Sequence, residues 1–195
     1  NPDQPVLWWS PDPRMVLQIK DFKLHRSLRK TLARYSSHSQ FELCFDRSFD
    51  QVIEACSQSP REGQNGTWIV PAMVEAYKAL HQAGHAHSVE TWLDGKLVAG
   101  LYFVCIGRAV FGESMFSTIS DGSKMALAAL VQVCEHQGIV AIDCQQNTAH
   151  LASMGAQEMS RAEFLALTHK AKQAPSPNWQ EATVDWDHWR SGKPA

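Results

Sequence analysis

The chain has 195 residues, 44% hydrophobic and 19% charged, with 18 Lys and Arg against 20 Asp and Glu for a net charge of −2. That balance describes a globular protein with material for one domain or two small ones, and it excludes a disordered or fibrous chain. No apolar run approaches the roughly 20 residues that a membrane-crossing helix needs, and the charge gives no global attraction to nucleic acid.

The opening NPDQPVLWWSPDPR holds four prolines and two tryptophans, which predicts an extended, non-helical segment with Trp8 and Trp9 covering something apolar. It begins Asn1-Pro2 with neither Met nor a signal-peptide pattern, so a processed or truncated product is expected. Across residues 14–34 the basic groups Arg14, Lys20, Lys23, Arg26, Arg29, Lys30 and Arg34 stand against Asp21 alone. HRSLRKTLARYSSHS (25–39) suits a short helix with Leu28 and Leu32 on one face and cations on the other. Such a face is either simply solvated or a contact for phosphate backbone, which Arg and Lys bind by charge without reading sequence.

FELCFD (41–46) alternates like a strand, FDQVIEACSQ (49–58) has helical spacing, and SPREGQNG (59–66) reads as a loop. PAMVEAYKALHQAG (71–84) is a helix with Pro71 in its first turn, Met73, Tyr77 and Leu80 on one face, and Gly84 as its stop. Residues 87–116 read as three antiparallel strands, reversing at Asp94-Gly95 and again at Gly107-Arg108. DGSKMALAALVQVCEHQG (121–138) is a helix apolar nearly all round and therefore buried. IVAIDCQ (139–145) is a strand without alternation, as expected when both faces are covered. AHLASMGA (149–156) and SRAEFLALTHK (160–170) are helices, the second with Ser160 and Glu163 forming a capping box. The tail APSPNWQEATVDWDHWRSGKPA (174–195), with Trp179, Trp186 and Trp189, is either disordered or draped over the core. This order predicts a mixed α/β fold in which the last meander strand and IVAIDCQ meet around one long helix.

One stretch asks for chemistry. In IVAIDCQQNTAH (139–150) a buried strand ends in an acid, a thiol and an amide. Alternation turns Asp143 and Gln145 to one side and Cys144 to the other. Either the strand stops there and Asn147 or Thr148 caps the next helix, or these groups sit at a cleft with Glu113 and Ser117, which follow the meander's last strand. Two sharper readings fail on the sequence. His81, His85 and His87 have no Cys or carboxylate near them in the chain, so no metal is expected. Cys144 with His150 lacks basic neighbours that would lower a thiol pKa, so no nucleophile pair is expected. The five cysteines are odd in number, scattered and without C-x-x-C, which fits reduced thiols in the cytoplasm.

WWSPDPR (8–14), GTWI (66–69), MVEAYKALHQAGHAHSVETW (73–92), LVAGLY (97–102), FGESMFS (111–117), SKMAL (123–127), IDCQ (142–145) and HLASMGA (150–156) stand in the order seen in the bacterial leucyl/phenylalanyl-tRNA–protein transferases, and the chain resembles that family from residue 5 to about 167. The resemblance implies transfer of Leu or Phe, and Met less well, from aminoacyl-tRNA to the N-terminal Arg or Lys of a protein, marking it for degradation. It implies a core like the GCN5-related acetyltransferases, with helices on both faces of a mixed, mostly antiparallel sheet. Residues 1–36 would be a remnant of a smaller N-terminal domain plus the basic helix, 37–172 the catalytic domain and 173–195 the tail. No cofactor is implied, and STISDGSK (117–124), with one glycine, agrees that no CoA phosphate cradle precedes the long helix. A monomer without membrane attachment is expected.

Carried over by motif position, Asp143 and Gln145 meet the attacking amine: Gln145 orients it, and Asp143 polarises it or accepts its proton. Glu113 and Ser117 would contact the substrate's amino group or the ribose, and Glu113 with Asp143 would form the acidic subsite for the acceptor's Arg or Lys. Trp68, Tyr77, Leu101, Phe111, Met115, Leu127, Leu130 and Ile142 are the aminoacyl-pocket candidates, with Trp68 placed to stack on the terminal adenosine, though each is equally an ordinary core residue type. Arg26, Arg29, Lys30 and Arg34 would lie along the acceptor stem. Family members carry a further N-terminal segment before WWSPDPR whose aromatic stretch walls the pocket, and this chain begins after it. Two rivals therefore stay open: a small-molecule N-acyltransferase of the same fold, and a non-catalytic tRNA-binding module.

Overall fold

Alternation along LVAGLYFVCI decides how the molecule is layered. Leu101, Phe103 and Cys105 join one hydrophobic cluster, while Tyr102 and Val104 join another on the opposite face. The computed structural model describes residues 10–59 and 68–190. Its seven strands are β1 (Arg14–Gln18), β2 (Phe41–Phe45), β3 (Ala86–Leu93), β4 (Lys96–Ile106), β5 (Ala109–Ser117), β6 (Ala141–Gln145) and β7 (Gln157–Met159). They form one sheet in the order β2-β3-β4-β5-β6-β1-β7, and β5–β6 is its parallel pair. The helices are α1 (Arg26–Tyr35), α2 (Phe49–Gln58), α3 (Pro71–Gln82), α4 (Gly122–His136), α5 (Ala149–Ser153), α6 (Arg161–Ala171) and α7 (Trp186–Arg190). This is the expected mixed, mostly antiparallel sheet with helices on both faces.

The meander forms as expected. Asp94 and Gly95 take φ of 52° and 73°, the left-handed pair that a tight two-residue hairpin requires. Helix α4 packs its Met125–Cys134 stretch against Leu101, Phe103, Val110 and Ile142, and α1 adds Leu28 and Leu32 to that side. Its first residue sits hard against the sheet: a Cβ on Gly122 would lie 2.6 Å from the Ala99 side chain. Helices α2 and α3 cover Tyr102 and Phe116 on the other face, and α6 sends Phe164 onto Val16 and Ala141. Ser160 and Glu163 make the expected capping box at the start of α6.

The structure departs from the sequence reading in the sheet and in α3, and it settles the described part of the tail. Strands β1 and β7 are additional, and β1 lies inside the sheet between β6 and β7, so residues 1–36 and 37–172 share one sheet rather than separating at residue 36. Of the two readings left open for the tail, its described part, up to residue 190, follows the draped one: Trp179 is 1% exposed against Phe45 and Phe103, and Trp189 is buried. Gln132 of α4 clamps it, donating to Asp185 O at 2.8 Å and accepting from Asp185 N at 2.7 Å. Leu80 is exposed, while Val74 packs beside Met73 and Tyr77, because the sheet meets α3 on the Val74 side. Trp8, Trp9 and most of the loop at 59–66 lie outside the described residues. Among the described residues no helix is long and apolar enough to cross a membrane.

Candidate active site

Two β-bulges aim the polar groups. Between β4 and β5, Tyr102 pairs with Ser114 and Phe103 with Gly112, which leaves Glu113 as the extra residue. Between β1 and β6, Val16 pairs with Asp143 and Met15 with Gln145, which leaves Cys144 as the extra residue. A bulge bends its strand and redirects a side chain. Here the two sit on neighbouring strands, since β5 and β6 run parallel with Phe111 opposite Asp143. Gln145 also has φ of 63°, a left-handed backbone that few non-glycine residues adopt.

A continuous hydrogen-bond chain follows. Arg14 Nε donates to Asp143 Oδ1 at 2.9 Å and Oδ2 at 3.0 Å, and Arg14 Nη2 donates to Oδ2 at 2.7 Å. The Gln145 backbone N–H donates to Asp143 Oδ1 at 2.9 Å. The Gln145 amide Nε2 donates to Gly112 O at 3.2 Å and Glu113 Oε2 at 3.3 Å. The Tyr77 hydroxyl, reaching across from α3, donates to the same Glu113 oxygen at 2.9 Å. Asp143 is 3% exposed, and the Arg14 guanidinium also lies 4.8 Å from the Phe164 ring centroid.

Burial pushes the Glu113 carboxyl above its ordinary range; the Tyr77 and Gln145 donors and Arg14 oppose the rise, and the Asp143 charge adds to it. Tyr77 is pushed up as well, by burial and then by Glu113, so its hydroxyl stays a donor at neutral pH. Cys144 packs against the α4-side cluster, and its thiol is raised to about 12 by burial and by Asp143. Burial thus disfavours the thiolate, the form in which a cysteine attacks.

The other expected site residues are distributed as alternation dictates. Leu127 and Leu130 of α4 are buried against Leu101 and Ile142 of the sheet, with Met115 packed beside them. Phe111 packs with Val16, Ala141 and Phe164 on the opposite face, where Tyr77 also lies, and Trp68 is 38% exposed just ahead of α3. The structure therefore does not bring these eight into one pocket. Ile142 and Asp143 are adjacent in a strand and must face opposite sides of the sheet. Glu113 and Ser117 both lie on β5 rather than after it. Ser117 is exposed and donates to Ile119 O at 2.6 Å, beside Gly122 at the start of α4 and away from Glu113.

On α1, Arg26, Lys30 and Arg34 are exposed and Arg29 is half-buried, while Leu28 and Leu32 enter the core. Among the described residues none of these four cations is in an ion pair. The histidine motif has a carboxylate after all: folding brings Asp46 to His81 and His87, with potential ligand atoms within 4.8 Å of one another, and leaves His85 outside. One ring nitrogen of each histidine and both Asp46 oxygens already have protein partners. Asp46 bonds His87 Nδ1 at 2.7 Å and the Ser88 N–H at 2.8 Å, and His81 Nδ1 donates to Ala86 O at 2.8 Å. Arg14 is the participant that sequence reasoning missed. Its only signal is its place at the end of SPDPR, a motif that carries the family likeness and announces no chemistry of its own.

The family model described as leucyl/phenylalanyl-tRNA protein transferase matches residues 16–169. A leucyl/phenylalanyl-tRNA–protein transferase of Polaromonas sp. (strain JS666 / ATCC BAA-500) is 58% identical over 183 residues, covering 94% of this chain and 72% of that protein. One from Leptothrix cholodnii (strain ATCC 51168 / LMG 8142 / SP-6) is 55% identical, covering 94% and 72%. Among solved structures, a conserved protein of unknown function from Bacteroides thetaiotaomicron VPI-5482 superposes with a TM-score of 0.55 at 13% identity, over 74% of this chain and 55% of that one, a likeness of fold alone. The model match and these identities place the chain in the leucyl/phenylalanyl-tRNA–protein transferase family.

Proposed function

We propose that the chain transfers Leu or Phe, and Met less well, from aminoacyl-tRNA to the N-terminal Arg or Lys of acceptor proteins, and so marks them for degradation. The observation that carries this reading is the hydrogen-bond chain from Arg14 through Asp143, Gln145 and Glu113 to Tyr77, built where the parallel strands meet. The reaction is aminolysis of an activated ester, so the protein's main work is to position two substrates and orient the attacking amine. Gln145 suits that task. Both amide N–H directions are spent on Gly112 O and Glu113, so its carbonyl Oε1 is the acceptor left for the amine. Asp143 polarises from behind, through the Gln145 backbone, and Glu113 supplies negative charge for the acceptor's cationic side chain.

Exposed Arg26, Lys30 and Arg34, with Arg29, form the contact to the acceptor stem; charge contacts without base readout suit an enzyme that accepts several tRNAs. An apolar pocket separates Leu from smaller side chains by only about 1–3 kcal/mol per missing methylene, so leakage to Met is expected. The free cysteines suit the reducing cytoplasm, where charged tRNA is made. The test is transfer of labelled Leu from charged tRNA to a peptide beginning with Arg, beside one beginning with Glu. Label on the Arg peptide alone, strongly reduced in Asp143→Asn and Gln145→Ala, is the expected result. Retained tRNA binding without transfer by the parent chain would overturn the enzyme reading in favour of a binding module.

A further inference from the structure

We infer that Arg14 is a positioning residue for the transfer: its guanidinium fork fixes Asp143, and through Asp143 it holds Gln145 in the geometry that presents the Gln145 carbonyl to the acceptor amine. This rests on reading Gln145 as the group that meets the amine.

The fork is carried by a strand that cannot drift. β1 is paired on both sides, with Met15 opposite Gln145 on β6 and opposite Glu158 on β7. The guanidinium is further seated against the Phe164 ring of α6 at 4.8 Å. Three donors, Arg14 Nε, Arg14 Nη2 and the Gln145 N–H, converge on the two Asp143 oxygens. A carboxylate so occupied and 3% exposed is a rigid acceptor, with little capacity left for a substrate proton.

The strain sits one step further on. Gln145 holds a left-handed backbone with φ of 63°, and its N–H is tied to Asp143 Oδ1. Such a conformation persists only when its surroundings over-determine it. Without the fork, Asp143 would lose two of its three donors and be free to turn, and the tie on Gln145 would go with it. A lysine would restore the charge but offers a single ammonium with no planar fork, so it cannot grip both oxygens in this way.

The experiment compares the parent chain with Arg14→Lys and Arg14→Ala in the leucine-transfer assay, the latter with and without guanidinium at sub-denaturing concentration. The Gln145 backbone amide resonance is followed in the same proteins. In Arg14→Lys, kcat should fall on the order of a hundredfold, the size of effect expected from misplacement by about 1 Å, while KM for aminoacyl-tRNA stays near the parent's. Guanidinium should recover part of the Arg14→Ala loss, Arg14→Lys should add little in an Asp143→Asn background, and the Gln145 amide should shift. With an active parent, parental kcat in Arg14→Lys, or a Gln145 amide that stays unmoved in the Arg14 variants, overturns the inference alone. A parent chain that binds tRNA but does not transfer overturns the function reading, and the inference falls with it.

Discussion

Replacing Arg14 with Met, Asp143 with Leu, and both together separates what this ion pair does for stability from what it does for geometry. The pair is interior: the side chains are 13% and 2% exposed, and the closest approach is 2.7 Å. Removing one partner from such a pair leaves an uncompensated buried charge and typically destabilises by about 3–5 kcal/mol, whereas an apolar replacement of both is often near neutral. The two single variants should not be equal. Arg14→Met strands a carboxylate with almost no access to water, while in Asp143→Leu the guanidinium keeps the Phe164 face and some exposure. Arg14→Met should therefore lie near the upper end of that range and Asp143→Leu near the lower. For a domain of this size about 1 kcal/mol moves Tm by roughly 2–4 °C, so melting should fall by about 6–20 °C in the single variants and much less in the double. Urea titration followed by tryptophan fluorescence reads this directly, because Trp179 and Trp189 are buried in the folded chain. Single-variant losses below about 1 kcal/mol, the level of an exposed pair, or losses that simply add in the double variant, would refute the argument.

Three further outcomes are expected. Tyr77→Phe removes a donor from a buried carboxylate, a bond worth about 1.5–3 kcal/mol when the acceptor is ionised. Because the folded Glu113 carboxyl is raised, its contribution to stability is fully present below the unfolded chain's value and is lost as pH rises through the folded one. Losing Tyr77 raises it further, so the gap between parent and variant in urea titrations should widen from acid to neutral pH; a pH-independent gap would count against the assignment. Gln132→Ala breaks both bonds to the Asp185 backbone and should destabilise by about 1–3 kcal/mol, with faster proteolysis after Lys172. Neutralising Arg26, Lys30 and Arg34 should lower the salt dependence of tRNA binding by about one logarithmic unit of slope for each phosphate that goes unneutralised, measured by titrating salt, with little change in kcat.

How much of this was legible depends on the range over which each signal acts. The meander, α4 and the capping box of α6 were readable because their determinants lie within a few residues: Asp94-Gly95 for the turn, the unbroken run Met125–Cys134 for burial, and Ser160 with Glu163 for the cap. Strand β7 was not readable, since Gln-Glu-Met carries no apolar pattern and is held as a strand by pairing with β1. Asp143 and Gln145 stood out as polar groups ending a buried strand. Their partner Arg14 is 129 residues away from Asp143, and no local pattern announces it. Glu113 lies within β5 rather than after it, at a bulge that no local signal in the chain marks. Motif position does not tell which face a residue occupies, and Ile142 and Phe111, both pocket candidates by motif, point to opposite sides of the sheet.

The two bulges and the buried pair are best understood together. A bulge leaves one residue out of the ladder and bends its strand, and here two adjacent strands each carry one at the level of the polar chain. Gln145 adds a left-handed backbone to the same spot. Phe111 lies opposite Asp143, so strict alternation already turns Glu113 and Gln145 to one face, and the bulges set the direction in which they meet. The irregularities bring the Gln145 amide to 3.3 Å from the Glu113 carboxylate, a contact that still needs something to hold the bent end of β6 in place. Arg14 and Asp143 are placed to do so. If apolar side chains could replace them with little net loss of stability, as the argument from buried pairs predicts, then stability is not what the pair is for. What an apolar pair cannot supply is an acceptor for the Gln145 N–H and a fork that fixes its direction, and that is the contribution the bent strand end depends on.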